Sequence, residues 1–454
     1  MHEMSKRAEL CAGVIKEQKK ALIVSHIDAD GLTSAAITCK ALERAGMESE
    51  VKFLKQLDLS ALEDIANQGI DLVIFTDLGS GIAGTISEYQ FTPVIVDHHQ
   101  VNGVAKYHLN PHLFGINGSY ELSGAGAAFI LAQALGENKD LADLAIVGAV
   151  GDLQARRDGK LAGMNREILK IGEEAGVLHS EKDVTFFGKQ TRPIYMLLQY
   201  SNDPYIPGIT GNEQASVGFL RRIGIELKRG DWRRWIDLSL EEKQKIVSNL
   251  IQHCLSKGVS QQGIGRLVGE VYTLVREEEG LEMRDASEYS TLLNATARYD
   301  FSDVGLAVCM GDRDDAYKRA RSLLLEHRRN LVQGLELVKS LGVTTLDNIQ
   351  YFYAGDKIRE TIVGIIAGMS MSVYSKSVPI IGIVDAEDGI KVSSRGTQNL
   401  VRRGLNLGVA ISESAAIVGG IGGGHDIAAG ATIPKESMDE FISLFNEKIG
   451  MQIG

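Results

Sequence analysis

Over the first 180 residues, short apolar runs alternate with stretches whose apolar positions recur at helical spacing. Ala21–Ser25, Val51–Leu54, Asp71–Thr76 and Pro93–Val96 are dominated by aliphatic and β-branched side chains, the texture of short strands buried on both faces. Between them, Thr33–Ala45 and Ser60–Gln68 repeat apolar residues three and four apart, which predicts helices. Gly124–Ala128 opens a further helix that packs through small residues, and Asp140–Val150 forms an apolar helix that delivers Asp152. Strands alternating with helices predict an α/β fold built on a doubly wound, mainly parallel sheet. Such a sheet gathers its ligands at the carboxyl ends of its strands.

The pattern then changes. Tyr195, Tyr200 and Tyr205, with Pro204 and Pro207, mark an irregular stretch, and long amphipathic helices are expected over Ser239–Lys257 and Asp314–Leu341. Strand signals return at Ile349–Ala354, Val378–Asp385 and Gly389–Ser394, with helices at Lys357–Met369 and Asn399–Ile411 and a hairpin turn at Asp385–Gly389. Three parts are expected: an α/β domain over 1–185, a mainly helical insertion over 186–345, and a smaller α/β domain over 346–454.

Composition narrows the possibilities. With 44% hydrophobic and 24% charged residues the chain is an ordinary globular sequence, and its 454 residues exceed one core. No stretch approaches the roughly 18 continuous apolar residues of a membrane span, so no membrane partner is expected. The start, Met1-His2-Glu3-Met4-Ser5-Lys6, has no signal-peptide core, and a cytoplasmic protein is expected. Cys11, Cys39, Cys254 and Cys309 are scattered without paired spacing, against disulfides and structural zinc. A net charge of −11 opposes nucleic acid binding over the whole surface but leaves room for a local basic groove. Lys228–Arg234, Lys318–Arg321, His327–Arg329 and Arg402–Arg403 are locally basic, although each alone reads as a solvated face.

Candidate chemistry sits where the strands end. His26, Asp28 and Asp30 precede Gly31; in an extended segment these alternate residues point the same way, and Gly31 turns the chain into a helix near Thr33. Asp77 ends the third strand, where its two oxygens can bridge two cations. Asp97-His98-His99 ends the fourth. Consecutive side chains diverge, so one imidazole can hold metal while the other faces substrate, with the carboxylate fixing a tautomer. A mixed Asp and His donor set favours Mn2+ over Mg2+. Near the C-terminus, the glycine run Gly419–His425 offers backbone N–H groups, and Ser394, Arg395, Gly423, Gly424 and His425 are candidate phosphate contacts. No Lys-Ser/Thr follows the run, which excludes a Walker loop. Tyr195, Tyr200, Tyr205 and Trp232 can stack bases, although core packing is the commoner role of such aromatics.

Taken in order, Ser25–Gly31, Asp77, Asp97-His98-His99, Asp152 and the segment Gly422–Ile433 resemble the motifs of the DHH phosphoesterase superfamily. Leu292–Arg298 and Val304–Ala307 are similar to the RecJ-type branch, and the helical middle resembles archaeal RecJ-like single-strand nucleases, some associated with the GINS replication complex. The resemblance implies two Mn2+ ions, with Mg2+ or Co2+ as substitutes, between the domains. His26, Asp28 and Asp77 would hold one; Asp30, Asp77, His98 and Asp152 the other. His99 would sit against the scissile phosphate, with Asp77 and Asp97 in the same catalytic group, while Arg395 and His425 grip strand phosphates. The activity implied is a Mn2+-dependent exonuclease on single-stranded DNA or RNA, 5′-to-3′, in replication and repair, with replisome proteins as partners. A small-substrate phosphodiesterase acting on oligoribonucleotides or cyclic dinucleotides is the enzyme alternative. A GINS-bound replication scaffold is the other; such a scaffold should lack ligands, and every expected ligand is present.

Overall fold

The computed structural model describes residues 2–201, 204–371 and 373–453. The chain forms two compact units, Met1–Ser322 and Leu323–Gly454.

In the first unit, helix α1 (His2–Lys16) precedes the expected alternation: β1 (Lys20–His26), α2 (Ala29–Arg44), β2 (Glu48–Leu54), α3 (Leu59–Ala66), β3 (Leu72–Thr76), β4 (Thr92–Val96) and β5 (His108–Leu109). The strands pair in parallel in the order β2-β1-β3-β4-β5. Every residue of β3 is buried, as its unbroken apolar run requires. Strand order reverses between β1 and β3, so the crevice at their carboxyl ends is the topological switch point where such sheets bind ligands.

Two apolar helices, α4 (Gly124–Leu135) and α5 (Ala142–Gly151), pack against α2 through alanine- and glycine-rich faces. Helix α2 begins at Ala29 rather than near Thr33, because Asp28 caps it by accepting from the Gly31 N–H. His26, Asp28 and Asp30 therefore do not lie along one extended segment. They occupy a strand end, a cap and a first helical turn.

The rest of this unit is not helical throughout. Strand β6 (Leu178–Val184) pairs antiparallel with β7 (Val268–Leu274) across a long excursion that contains α6 (Leu240–Ser256). That excursion has its own core, which includes Ile194, Phe219, Trp235 and Leu250. Helices α7 (Ala286–Arg298) and α8 (Ser302–Met310) then return to pack on α2.

Helix α9 (Asp315–Leu341) leads into the second unit. Its sheet combines β8 (Thr344–Thr345), β9 (Gln350–Tyr353), β10 (Ile380–Ala386), β11 (Gly389–Arg395), β12 (Ile421–Gly424) and β13 (Ala428–Ile433) in the order β8-β9-β10-β11-β13-β12. Helix α10 (Glu360–Ser370) packs on one face; α12 (Leu407–Ile417) and α13 (Met438–Ile453) bury the other. The single helix expected over Asn399–Ile411 is two, α11 (Gln398–Arg402) and α12, separated where Gly404 takes φ +109°. The glycine run is likewise an edge strand, β12, rather than a free loop. Among the described residues, no helix is long and apolar enough to cross a membrane.

Candidate metal centre

The strand ends bring four aspartates and two histidines together. His26 Nδ1 lies 3.0 Å from Asp28 Oδ2 and 3.6 Å from Asp77 Oδ2. His98 Nε2 lies 3.2 Å from Asp77 Oδ1 and 3.6 Å from Asp30 Oδ2, and its Nδ1 is 3.9 Å from Asp152 Oδ2. Donor atoms of His26, Asp28 and Asp77 fall within 4.8 Å of one another, as do those of Asp30, His98 and Asp152. Asp77 thus turns one oxygen to each group.

That placement is costly. Asp77 is 2% exposed and adopts φ 58°, a left-handed conformation that aspartate tolerates better than most residues. Gly124 stands against it; a Cβ there would come within 2.5 Å of Asp77 Oδ1. Asp30 accepts from the Gly124 and Ala125 N–H groups (2.7 and 2.9 Å), so the amino end of α4 clamps its carboxylate. Asp77 Oδ1 and His26 Nδ1 are shielded from solvent yet make no well-formed hydrogen bond, only ion-pair approaches to His98 (3.2 Å) and Asp28 (3.0 Å). Buried polar atoms left in this state are destabilising unless something else binds them.

Protonation reports the same surplus of negative charge. Burial alone would lower the His26 imidazole, but the Asp28 and Asp77 carboxylates hold it well above its usual value. His98 behaves alike, burial being outweighed by Asp77 and Asp152. Burial and then the Asp77 charge push Asp30 well above the carboxylate range, and burial raises Asp152 to about 6. Asp28 stays below its ordinary value despite burial, because His26 faces it. Divalent cations can replace these protons: the donor set is oxygen plus imidazole, and orphaned atoms face both groups. The residues therefore fit a pair of such ions.

Asp97 and His99 form a couple beside Asp77 and His98, donor atoms of all four falling within 4.8 Å of one another. Asp97 is fully buried; Oδ1 accepts from the His98 N–H (2.7 Å) and His99 Nδ1 (2.8 Å), and Oδ2 from the Ser80 N–H (2.9 Å). Burial would raise Asp97, yet its hydrogen bond with His99 holds it below the carboxylate range. In return Asp97 outweighs burial to lift His99 to about 9, while that side chain stays 51% exposed. His98 sets its Nδ1 against the Gly118 carbonyl at 2.7 Å, which leaves Nε2 for the carboxylates.

Several supporting residues carry no motif of their own. Asn110 donates to the Ser80 hydroxyl (2.8 Å) and to the His99 carbonyl (2.9 Å), and the Ser80 hydroxyl meets His108 Nε2 at 2.9 Å. Gln154 donates to Asp152 Oδ2 (3.0 Å) and the Gly118 carbonyl (2.8 Å). Asn294, in α7, accepts from the Ala29 N–H at 3.0 Å. Of these, Asn294 is the exception, lying in the Leu292–Arg298 segment similar to the RecJ-type branch, and Asn110 has a local signal as a cap just before Pro111.

The second unit holds the other candidates. Arg395 ends β11 with Nη1 on the Ser394 carbonyl, and Gly423, Gly424 and His425 follow one another from β12. Ser394 needs correcting: it is fully buried and its hydroxyl donates to the Ala429 carbonyl (3.0 Å), so it does not present a donor to phosphate. The glycine run pairs with β13 and is not an open anion nest. Of the aromatics, Tyr195 is buried, whereas Tyr200, Tyr205 and Trp232 are exposed. Within the basic run Lys228–Arg234, Arg233 is buried and forked onto Glu242.

The DHH family N-terminal domain matches residues 20–149, the DHH-CID domain 186–268 and the DHHA1 domain 347–451. An uncharacterized protein of Methanocaldococcus jannaschii is 32% identical over 440 residues, covering 95% of this chain and 93% of that one. The single-stranded-DNA-specific exonuclease RecJ of Bacillus subtilis is 24% identical over 470 residues, 98% of this chain but 48% of RecJ, so the chain spans about half that relative's length. Among solved structures, RecJ of Thermus thermophilus in complex with Mn2+ superposes with a TM-score of 0.61 at 16% identity, over 99% of this chain and 55% of that one. CDC45 from Entamoeba histolytica gives 0.67 at 12% identity, over 99% and 97%. Those likenesses are of fold. Together with the three domain matches and the near full-length archaeal relative, they lead to one conclusion: the chain belongs to the DHH superfamily as a RecJ-like protein.

Proposed function

We propose that this protein is a Mn2+-dependent exonuclease that removes mononucleotides from single-stranded DNA or RNA, 5′-to-3′, in replication and repair. The observation that carries this reading is the split carboxylate of Asp77, with Oδ2 towards His26 and Oδ1 towards His98. A bound pair of divalent cations would supply Lewis acidity to the phosphoryl oxygens and acidify the attacking water.

The chain's own residues do the rest. His26, Asp28 and Asp77 would hold one cation, and Asp30, Asp77, His98 and Asp152 the other. His99, lifted to about 9 against Asp97, is protonated at neutral pH and offers its Nε2–H to a phosphoryl or leaving oxygen. Arg395 and His425 bind strand phosphates through charge-assisted hydrogen bonds, so affinity falls steeply with salt. The RecJ of B. subtilis, by its name, acts on single-stranded DNA, and the T. thermophilus protein is solved in complex with Mn2+ and with Mg2+; these support the substrate and a divalent ion, while the mixed Asp and His donor set is what favours Mn2+.

The likeness to CDC45 over nearly the whole of both chains favours a second role as a replication scaffold, with GINS as a partner. The full ligand set argues that catalysis is kept alongside it. Purified protein with MnCl2 and single-stranded DNA or RNA labelled at either end tests the main reading. Mononucleotides should appear first from the 5′ end, with little product in CaCl2. Intact strands beside cleaved dinucleotides would instead mark a small-substrate phosphodiesterase.

A further inference from the structure

The helix that delivers Asp152 ends in an unusual way. Past Gly151, the Leu153 N–H donates to the Val150 carbonyl (3.1 Å) and the Gln154 N–H to the Ala149 carbonyl (3.0 Å). This is a Schellman stop, whose left-handed residue is ordinarily glycine. Here it is Leu153, at φ 59°. A branched, bulky side chain in that region is a strained choice.

Packing does not account for it. A Schellman stop often gains an apolar contact from the residue after the left-handed one, but that residue is Gln154, buried and committed to Asp152, Gly118 and Asn165. Leu153 itself is 60% exposed. The backbone would be less strained with glycine, and the leucine side chain adds nothing to the core. Its neighbours on both sides are pinned to the metal centre, so its position relative to Asp152 is rigid.

What lies around it suggests an occupant. Asp152 is the most open member of its group of ligands, 33% exposed against 2% for Asp30 and 7% for His98. The Arg156 N–H closes back on the Leu153 carbonyl (2.9 Å), and Arg156 and Arg157 are both exposed. The Arg157 guanidinium lies 4.3 Å over the Tyr120 ring, two residues beyond the Gly118 carbonyl that His98 and Gln154 share. The segment that follows Asp152 therefore carries an exposed apolar side chain and two exposed basic groups, one of them capping the Tyr120 ring. A planar heterocycle attached to a phosphate matches that combination.

We infer that Leu153 is a substrate-positioning residue that packs against the nucleobase of the nucleotide being released, setting its phosphate over the metal centre. This inference rests on the strand-cleavage reading above. It assigns an apolar base contact that tolerates any base, since every base has a face to pack on.

The test uses the full chain with Mn2+ and two end-labelled single strands, identical except that one lacks the base on the nucleotide to be released. Wild type should have the lower KM on the base-bearing strand. In Leu153→Gly that KM should rise about 10-fold, the size expected of one lost base contact, and the KM ratio between the two strands should fall towards one. Leu153→Met, which keeps an apolar surface, should retain the wild-type ratio. Glycine relieves the left-handed strain, so the Tm of Leu153→Gly should equal or exceed wild type, which separates lost positioning from lost folding. A wild-type KM ratio in Leu153→Gly overturns the inference, and so does an equal rise on both strands. If wild type cleaves neither strand, the strand-cleavage reading is what fails. Leu153 is then judged by strand binding in Ca2+, where equal Kd values for wild type and Leu153→Gly reject the base contact and point to a protein partner for the exposed side chain.

Discussion

Two buried acidic clusters occupy the first unit, and they are built on opposite principles. Around Glu288, at the start of α7, every group is answered. Glu288 Oε1 accepts from the Gln190 N–H (2.8 Å) and Oε2 from the Thr191 hydroxyl (2.5 Å). Asp285 caps α7 and faces Lys189 Nζ at 3.2 Å. At the sheet edge, four aspartates meet only two histidines, Asp77 sits in a left-handed conformation, and two shielded polar atoms have ion-pair neighbours but no well-formed hydrogen bond. Burial of polar groups is common to both. What separates a structural cluster from a binding one is unanswered charge, which the fold tolerates only because a ligand can answer it.

The sharpest way to break this contrast is Asp77→Asn. Asparagine tolerates the left-handed backbone and keeps the shape, but it cannot bridge two cations. Mn2+ affinity by calorimetric titration should fall roughly 100-fold or more, with hydrolysis lost in step. Without metal, the Tm should hold or rise, because one of four crowded carboxylates has gone. A variant that binds Mn2+ like wild type would place the bridge elsewhere.

Much of this contrast is legible in the sequence. Apolar runs locate β1, β3 and β4, and each acidic motif follows a run directly, so the parallel sheet can only carry them to one edge. What the sequence hides, it hides for physical reasons. Strand β6 reads Leu-His-Ser-Glu-Lys-Asp-Val, too polar for its pairing with β7 some ninety positions away to show locally. Glycines conceal β12, since they have no side chain to alternate. Ser394 looks like a free donor, although its strand holds the answer: in β11, Ile390, Val392 and Ser394 alternate onto one face, and the first two are core. Ser80, His108 and Asn110 meet only through β5, a two-residue strand with no pattern of its own.

The satisfied cluster carries its own prediction. Burial and then the Asp285 charge raise Glu288 to about 7, against an ordinary glutamate value of 4.5. A carboxyl raised on folding contributes stability that is complete below about pH 4.5 and is lost as pH rises through about 7. The loss across that window is on the order of 3 kcal/mol. Glu288→Gln should therefore lessen the fall of the urea midpoint between about pH 5 and pH 8 and exceed wild type at the upper end, the remaining fall belonging to the raised carboxyls of Asp30 and Asp152. Hydrolysis at constant Mn2+ should be unaffected. A midpoint for Glu288→Gln that falls with pH as steeply as that of wild type would move the titration to another group.

Ser80 tests the ground between the two clusters. Burial lowers His108 to about 4, so its ring is neutral at pH 7 and Nε2 can accept the Ser80 O–H, whose oxygen in turn accepts from Asn110. The link to Asp97, in contrast, is the Ser80 backbone N–H, which substitution leaves in place. Ser80→Ala then strands the His108 acceptor and one Asn110 donor while His99 keeps its carboxylate. Stability should drop by about 1–2 kcal/mol in urea unfolding, and the rate should fall less than about 10-fold, the low end for groups that steady a ligand. A rate loss as deep as that of Asp77→Asn would mean that the hydroxyl network, and not the carboxylate alone, fixes His99. The boundary between answered and unanswered charge would then lie one layer further from the metals than the geometry places it.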